Sequence, residues 1–161
     1  MKVLSKVSSV GLASLLAVGL MFTGGNSVSA YSDTNTEKIP QLSGNSIQSN
    51  VWMTSKNSFH KQSWEVSAKF LGTNPSYADW VKTAWTFKAN GLGVSIGGVS
   101  GGTASGNTLT GTWTNTNAWI SDYGGSYNIS GLPITGSGNN TASFLAKGVK
   151  RSATASIFRF Y

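Results

Sequence analysis

The chain has 161 residues, six Trp, no Cys and a formal net charge of +7. Without Cys there is no disulfide framework and no cysteine to carry a lipid anchor, so a fold must be held by packing. Ten of the twelve Lys and Arg, and all five Asp and Glu, lie beyond residue 30, a sparse basic balance that favours anionic partners.

Lys2 and Lys6 open a short positive segment, Val10–Phe22 is apolar apart from Gly and one Ser, and Val28-Ser29-Ala30 closes a small polar stretch. Residues 1–30 therefore read as a cleaved secretory signal peptide, which implies export from a bacterial cell and an extracellular location. The apolar run is shorter than the ~20 residues of a spanning helix. Residues 31–45 are polar and aperiodic and read as a flexible N-terminal lead. Residues 46–161 read as one β domain.

Period two dominates that domain. Ser46–Ser55 carries Ile47, Val51 and Met53 on one side. Trp64, Val66, Ala68 and Phe70 alternate with polar residues, as do Val81, Thr83, Trp85 and Phe87. Each pattern predicts a strand with one buried and one wet face. Asn90-Gly91 predicts a hairpin, with Leu92, Val94 and Ile96 on the return strand. In "TLTGTWT" (108–114), Thr108, Thr110, Thr112 and Thr114 share one face, with Leu109, Gly111 and Trp113 on the other. Thr is β-branched and its hydroxyl tolerates water, so this reads as a half-buried strand with an uncharged wet side. A turn is expected at Asn115-Thr116-Asn117 and a hairpin around Gly124-Gly125. Pro75–Trp80 has room for one helical turn and Thr141–Arg151 for a short basic helix. Ser152–Tyr161 reads as the last strand. The fold class is all-β, an antiparallel sandwich or small barrel of about seven to eight short strands.

Few residue patterns in the chain carry chemistry. The Gly-rich run 91–107 lacks the third glycine of a dinucleotide fingerprint, since position 96 is Ile96, and no Gly-Lys-Ser/Thr occurs. His60 is the only histidine and has only Glu65 close in sequence, so no metal site and no cofactor is expected. No nucleic-acid motif is present. A carboxylate-dependent glycoside hydrolase would have to use Asp79 and Asp122, which sit in "SYADW" and "WISDY".

The aromatics say more. Trp64, Trp85 and Trp113 fall on apolar faces and are assigned to the core. Trp52 is out of phase with Val51 and Met53, and Tyr77, Trp80, Trp119 and Tyr123 lie in or beside expected turns. These five are the candidate ligand-binding platform, of the kind that suits a sugar ring or a headgroup. Lys147, Lys150, Arg151 and Arg159 form the one basic cluster. The terminal "SIFRFY" also echoes membrane β-barrels, but Arg159 shares a face with Tyr161 where lipid would want an apolar residue. The functional expectation is a secreted, non-enzymatic β protein that binds an anionic cell-envelope polymer, glycan or membrane surface. The alternatives are a bacteriocin-like toxin acting on competing cells, and the small hydrolase.

Overall fold

Alternating inward and outward side chains put the described residues into eight strands: β1 (Tyr31–Lys38), β2 (Ser46–Met53), β3 (Lys61–Leu71), β4 (Ala78–Ser100), β5 (Thr103–Ser105), β6 (Thr108–Ala118), β7 (Ile120–Ala146) and β8 (Val149–Phe160). The structure is a computed structural model that describes residues 30–54 and 61–161. Residues 1–29 of the segment expected to be a signal peptide, and His60, therefore lie outside the described residues. All pairings are antiparallel in one sheet of order β1-β2-β3-β7-β4-β6-β5, with β8 on β7.

Two strands organise this sheet. β4 spans 23 residues and β7 spans 27, far beyond the usual five or six. The first part of β7 pairs with β3, its last part pairs with β8, and β4 runs along most of it. One continuous strand thus belongs to both halves of the sheet. The sheet curls until β1 meets β8. There the Ser156 N–H donates to Asp33 Oδ2 at 2.8 Å, and Asn35 Nδ2 donates to the Thr154 carbonyl at 3.0 Å.

Inside the curl are two apolar clusters. One gathers Val51, Met53, Trp64, Val66, Trp85, Phe87, Leu109, Tyr127 and Ile157 with their neighbours. The other gathers Ile39, Ile47, Ala68, Phe70, Val81, Phe144 and Ala153 with theirs. Between them lies a buried polar layer. Ser49 falls between Ile47 and Val51, Thr83 between Val81 and Trp85, and Asn140 between Gly138 and Ala142, all fully buried. Asn140 satisfies the layer. Its Nδ2 donates to Ser49 Oγ at 3.1 Å, the Asn50 carbonyl at 3.0 Å and the Ser67 carbonyl at 2.9 Å, and its Oδ1 accepts from Thr83 Oγ1 at 2.5 Å. Buried polar groups survive in a core only when paired in this way.

Several sequence expectations are corrected. Residues 31–38 are not a flexible lead. They pair along their whole length with β2 because Ile39 and Leu42 fold the chain back into the second cluster. Asn90-Gly91 is not a hairpin but a register shift inside β4. A Cβ at Gly91 would lie 1.9 Å from the Leu132 carbonyl oxygen, so glycine is there for close approach of two backbones. Gly124-Gly125 is likewise strand, with Gly125 leaving room for the Ser100 carbonyl and the Trp64 ring. β6 runs through the expected 115–117 turn. Residues 141–151 form no helix. Ala142, Phe144 and Ala146 point inward on β7, and Lys147 and Gly148, both with positive φ, close a two-residue hairpin into β8. Pro75–Ser76 is a turn without helix.

Candidate binding face

Directly opposed residues of an antiparallel pair share a face. The register of β6, β4, the last part of β7 and β8 therefore defines the outer side of the sheet row by row. One row reads Thr116, Trp80, Leu145, Lys150, and the next reads Thr114, Lys82, Ser143, Ser152. Then come Thr112, Ala84, Thr141, Thr154, and after them Thr110, Thr86, Asn139, Ser156. A further row holds Thr108, Lys88, Ser137 and Phe158. Strands about 4.8 Å apart, with same-face residues roughly 7 Å apart along each, make this a lattice of hydroxyls. The wet face works this way because Thr and Ser keep the β-pleat solvated without charge.

Charge on this face has one sign. Residues 80–118 and 123–161 contain no Asp or Glu, while Lys82, Lys88 and Lys150 lie in its rows. At one end Trp80, Lys82, Thr114, Thr116 and Lys150 line a shallow pocket of about 280 Å³. The Lys150 ammonium sits over the Trp80 ring, 5.6 Å from its centroid. An indole face, two cations and two hydroxyls converge there, which is a donor set for an anion carried on a ring or chain.

A second, larger groove of about 750 Å³ opens along β6, lined by Trp85, Thr86, Gly102, Thr103, Thr110, Gly111, Thr112, Trp113 and Tyr123 with their neighbours. Its wall is a run of rings. Tyr123 stacks on Trp85 at 5.2 Å and 15°, and Trp113 packs against Tyr123 at 5.3 Å with its plane tilted by 40°. Gly111 lets β6 lie flat on the Trp85 indole, where a Cβ would come within 2.3 Å of the ring. Neither Asp79 nor Asp122 lines either hollow. Asp79 is the second residue of β4, and Asp122 is the third of β7, opposite Ser67.

The five platform residues do not form one group. Trp80 is half-buried on the outer face. The pairing of Ala78 with Ala118 brings exposed Tyr77 and Trp119 to the same end of β4 and β6. Tyr123 belongs to the inner ring run, and Trp52 lies on β2 between Ser32 and Glu65. Of the basic cluster, Lys147, Lys150 and Arg151 are exposed at the β7–β8 hairpin. Arg159 is corrected: it is 2% exposed and faces inward. Its Nη1 donates to the Thr54 carbonyl at 2.7 Å, and its guanidinium lies 3.9 Å from the Tyr161 ring centroid and 5.9 Å from that of Tyr31. Inward parity on β8, set by Ala153, Ala155 and Ile157, puts it there. Trp113 is also corrected, from core to 46% exposed, because β6 is an edge strand beyond its short pairing with β5. Lys82, Thr114 and Thr116 escaped the sequence reading because their partner Lys150 is remote in sequence. The alternation of Thr in "TLTGTWT" was the available signal. No family model and no curated protein matches the chain.

Proposed function

We propose that this is a secreted, non-enzymatic β protein whose outer face binds an anionic polymer of the cell envelope, glycan in character. The observation that carries this reading is the carboxylate-free hydroxyl face with its Trp80–Lys82–Lys150 pocket. Lysines separated by rows of Thr suit repeated phosphate or carboxylate groups on a chain, with Trp80 offering a ring face to an intervening sugar. The sheet curled on itself, intermediate between a sandwich and a barrel, serves as the scaffold. A toxic effect on competing cells would be a consequence of such binding rather than a separate site.

The test is retention on purified bacterial cell walls, compared with walls from which the anionic polymers have been extracted. Wild type should be retained on intact walls at low salt and released as salt rises, since exposed charges are screened within about 10 Å at 0.1 M. Lys82→Gln with Lys150→Gln should lower retention about tenfold. Equal retention of that variant, or equal retention on extracted walls, would overturn the reading.

A further inference from the structure

The hydroxyl lattice ends abruptly. On β8 the outward residues are Ser152, Thr154 and Ser156, and then Phe158 and Phe160. Phe158 is 59% exposed and Phe160 65%, with their rings edge to face at 5.2 Å. Phe160 stands opposite Thr135, which stands opposite Asn90. Two residues further along β4 and on the same face, Leu92 stands opposite Leu132, at 72% and 64% exposed. Ile134, 55% exposed, is the extra residue of the bulge between these rows, and its carbonyl accepts the Tyr161 N–H at 3.0 Å. Register thus makes Leu92, Leu132, Ile134, Phe158 and Phe160 neighbours at one end of the face. The core does not require them, because inward positions on β8 are filled by Ala153, Ala155, Ile157 and Arg159.

We propose that this apolar end of the face inserts into the surface of an anionic lipid bilayer. The surroundings choose the occupant. Lys88 lies in the same row as Phe158, and no carboxylate occurs on β6, on β8 or on β7 beyond Asp122. An apolar edge beside an ammonium, in a region of one positive sign, complements acyl chains beneath anionic headgroups. A second copy of the chain fits less well. At these exposures, five side chains of about 200 Å² each present on the order of 600 Å², against the ~800 Å² per partner of a stable interface. Two copies meeting there would also bring like charges together. The Trp80 row is eight residues from the Lys88 row, roughly 27 Å along β4, so lipid at one end leaves the pocket at the other end open. The inference shares a face with the proposed function but does not rest on it.

The experiment is flotation of the exported protein, purified from culture medium, with vesicles free of any glycan. Vesicles of phosphatidylcholine with phosphatidylglycerol should carry wild type upward, and pure phosphatidylcholine should carry at least tenfold less. Phe158→Ser with Phe160→Ser should lose at least tenfold in partition with an unchanged melting temperature. If that pair fails to fold, Leu92→Ser with Leu132→Ser serves, and Phe160→Trp should show a blue-shifted increment of emission on anionic vesicles. Failure of wild type to float, or undiminished flotation of a folded Ser pair, overturns the proposal. So does a dimer in sedimentation that the Ser pair abolishes, which would assign the patch to self-association. Lys82→Gln with Lys150→Gln should keep most of its vesicle binding while losing wall binding, which separates failure of this inference from failure of the polymer reading.

Discussion

Asn140→Leu is the sharpest test of how the two apolar clusters are joined. The substitution keeps the branched shape of the side chain, with methyls in place of smaller polar groups, but removes a carboxamide that accepts from Thr83 Oγ1 and donates to Ser49 Oγ and to the Asn50 and Ser67 carbonyls. Ser49 keeps one partner, since its hydroxyl donates to the Asn140 backbone carbonyl at 2.7 Å. Thr83 loses the bond that held its hydroxyl, at a site with no exposure. A stranded buried hydroxyl costs about 1–3 kcal/mol, and the lost bonds to the Asn50 and Ser67 carbonyls about 1 kcal/mol each, so the total comes to about 3–5 kcal/mol. That is a large part of the ~5–15 kcal/mol that such a domain possesses. At roughly 3–5 °C per kcal/mol for this size, the melting temperature should fall by about 10–20 °C in a circular dichroism scan. Adding Thr83→Val removes the stranded partner, and replacing both partners by apolar groups is nearly neutral. The double variant should therefore recover a good part of the loss. A single variant melting within about 2 °C of wild type, or a double variant worse than the two singles added together, would refute the account of the polar layer.

Trp80→Ala should melt within about 3 °C of wild type, because the ring lies on the outer face under Lys150, yet retention on cell walls should fall about fivefold or more. Gly111→Val should destabilise by about 1–3 kcal/mol, because its Cβ meets the Trp85 ring, and Trp fluorescence should shift as that ring is displaced. Trp85→Ala should cost about 3–5 kcal/mol in denaturant unfolding, whereas Trp113→Ala, half exposed on an edge strand, should cost far less. Burial, helped by Tyr161, pushes the Tyr127 phenol well above its ordinary value of 10.0, while Arg159 pulls the other way. The folded state then holds a proton that the unfolded state releases, so this contribution is complete below about pH 10 and is lost as pH rises above it. Phenolate absorbance should show Tyr127 silent until alkaline unfolding, and Tyr127→Phe should blunt the alkaline loss of stability.

The strands that were legible in the sequence are those where one rule acted alone. Trp64 to Phe70 and Val81 to Phe87 alternate against a single core, so period two read correctly. The errors cluster at glycines and at long-range partners. Asn90-Gly91 and Gly124-Gly125 carry a local hairpin signal, but there glycine serves close backbone approach to Leu132 and Ser100, which no local pattern reveals. Residues 31–38 lack apolar periodicity because β1 ends the strand order and only Tyr31 among its side chains packs on the apolar core. Residues 141–151 resembled a helix because Ala, Leu and Lys favour one, until the inward alternation of Ala142, Phe144 and Ala146 is set against their partners Ala153, Arg151 and Val149. Of the site, Trp80 and Lys150 were each visible, but not that they meet, since three strands and 69 intervening positions separate them in sequence.

The composition of the outer face also limits what it can bind and how. A wet sheet face is most often solubilised by mixed Lys and Glu, which pair with one another and with water. Here the same rows carry Thr, Ser and Asn, with lysines at only three places and no acid to neutralise them. Thr has a restricted χ1, so ordering such a face against a partner loses little side-chain entropy. Lys82 and Lys150 converge on one shallow pocket and Lys88 stands apart, which makes attraction long in reach and weak in any one contact. On the proposed function, affinity must then come from many repeats of a partner lying along several rows rather than from one deep pocket. That arrangement favours a polymer or an extended surface over a small molecule, and it predicts binding that weakens sharply when the partner is shortened to a fragment spanning a single row.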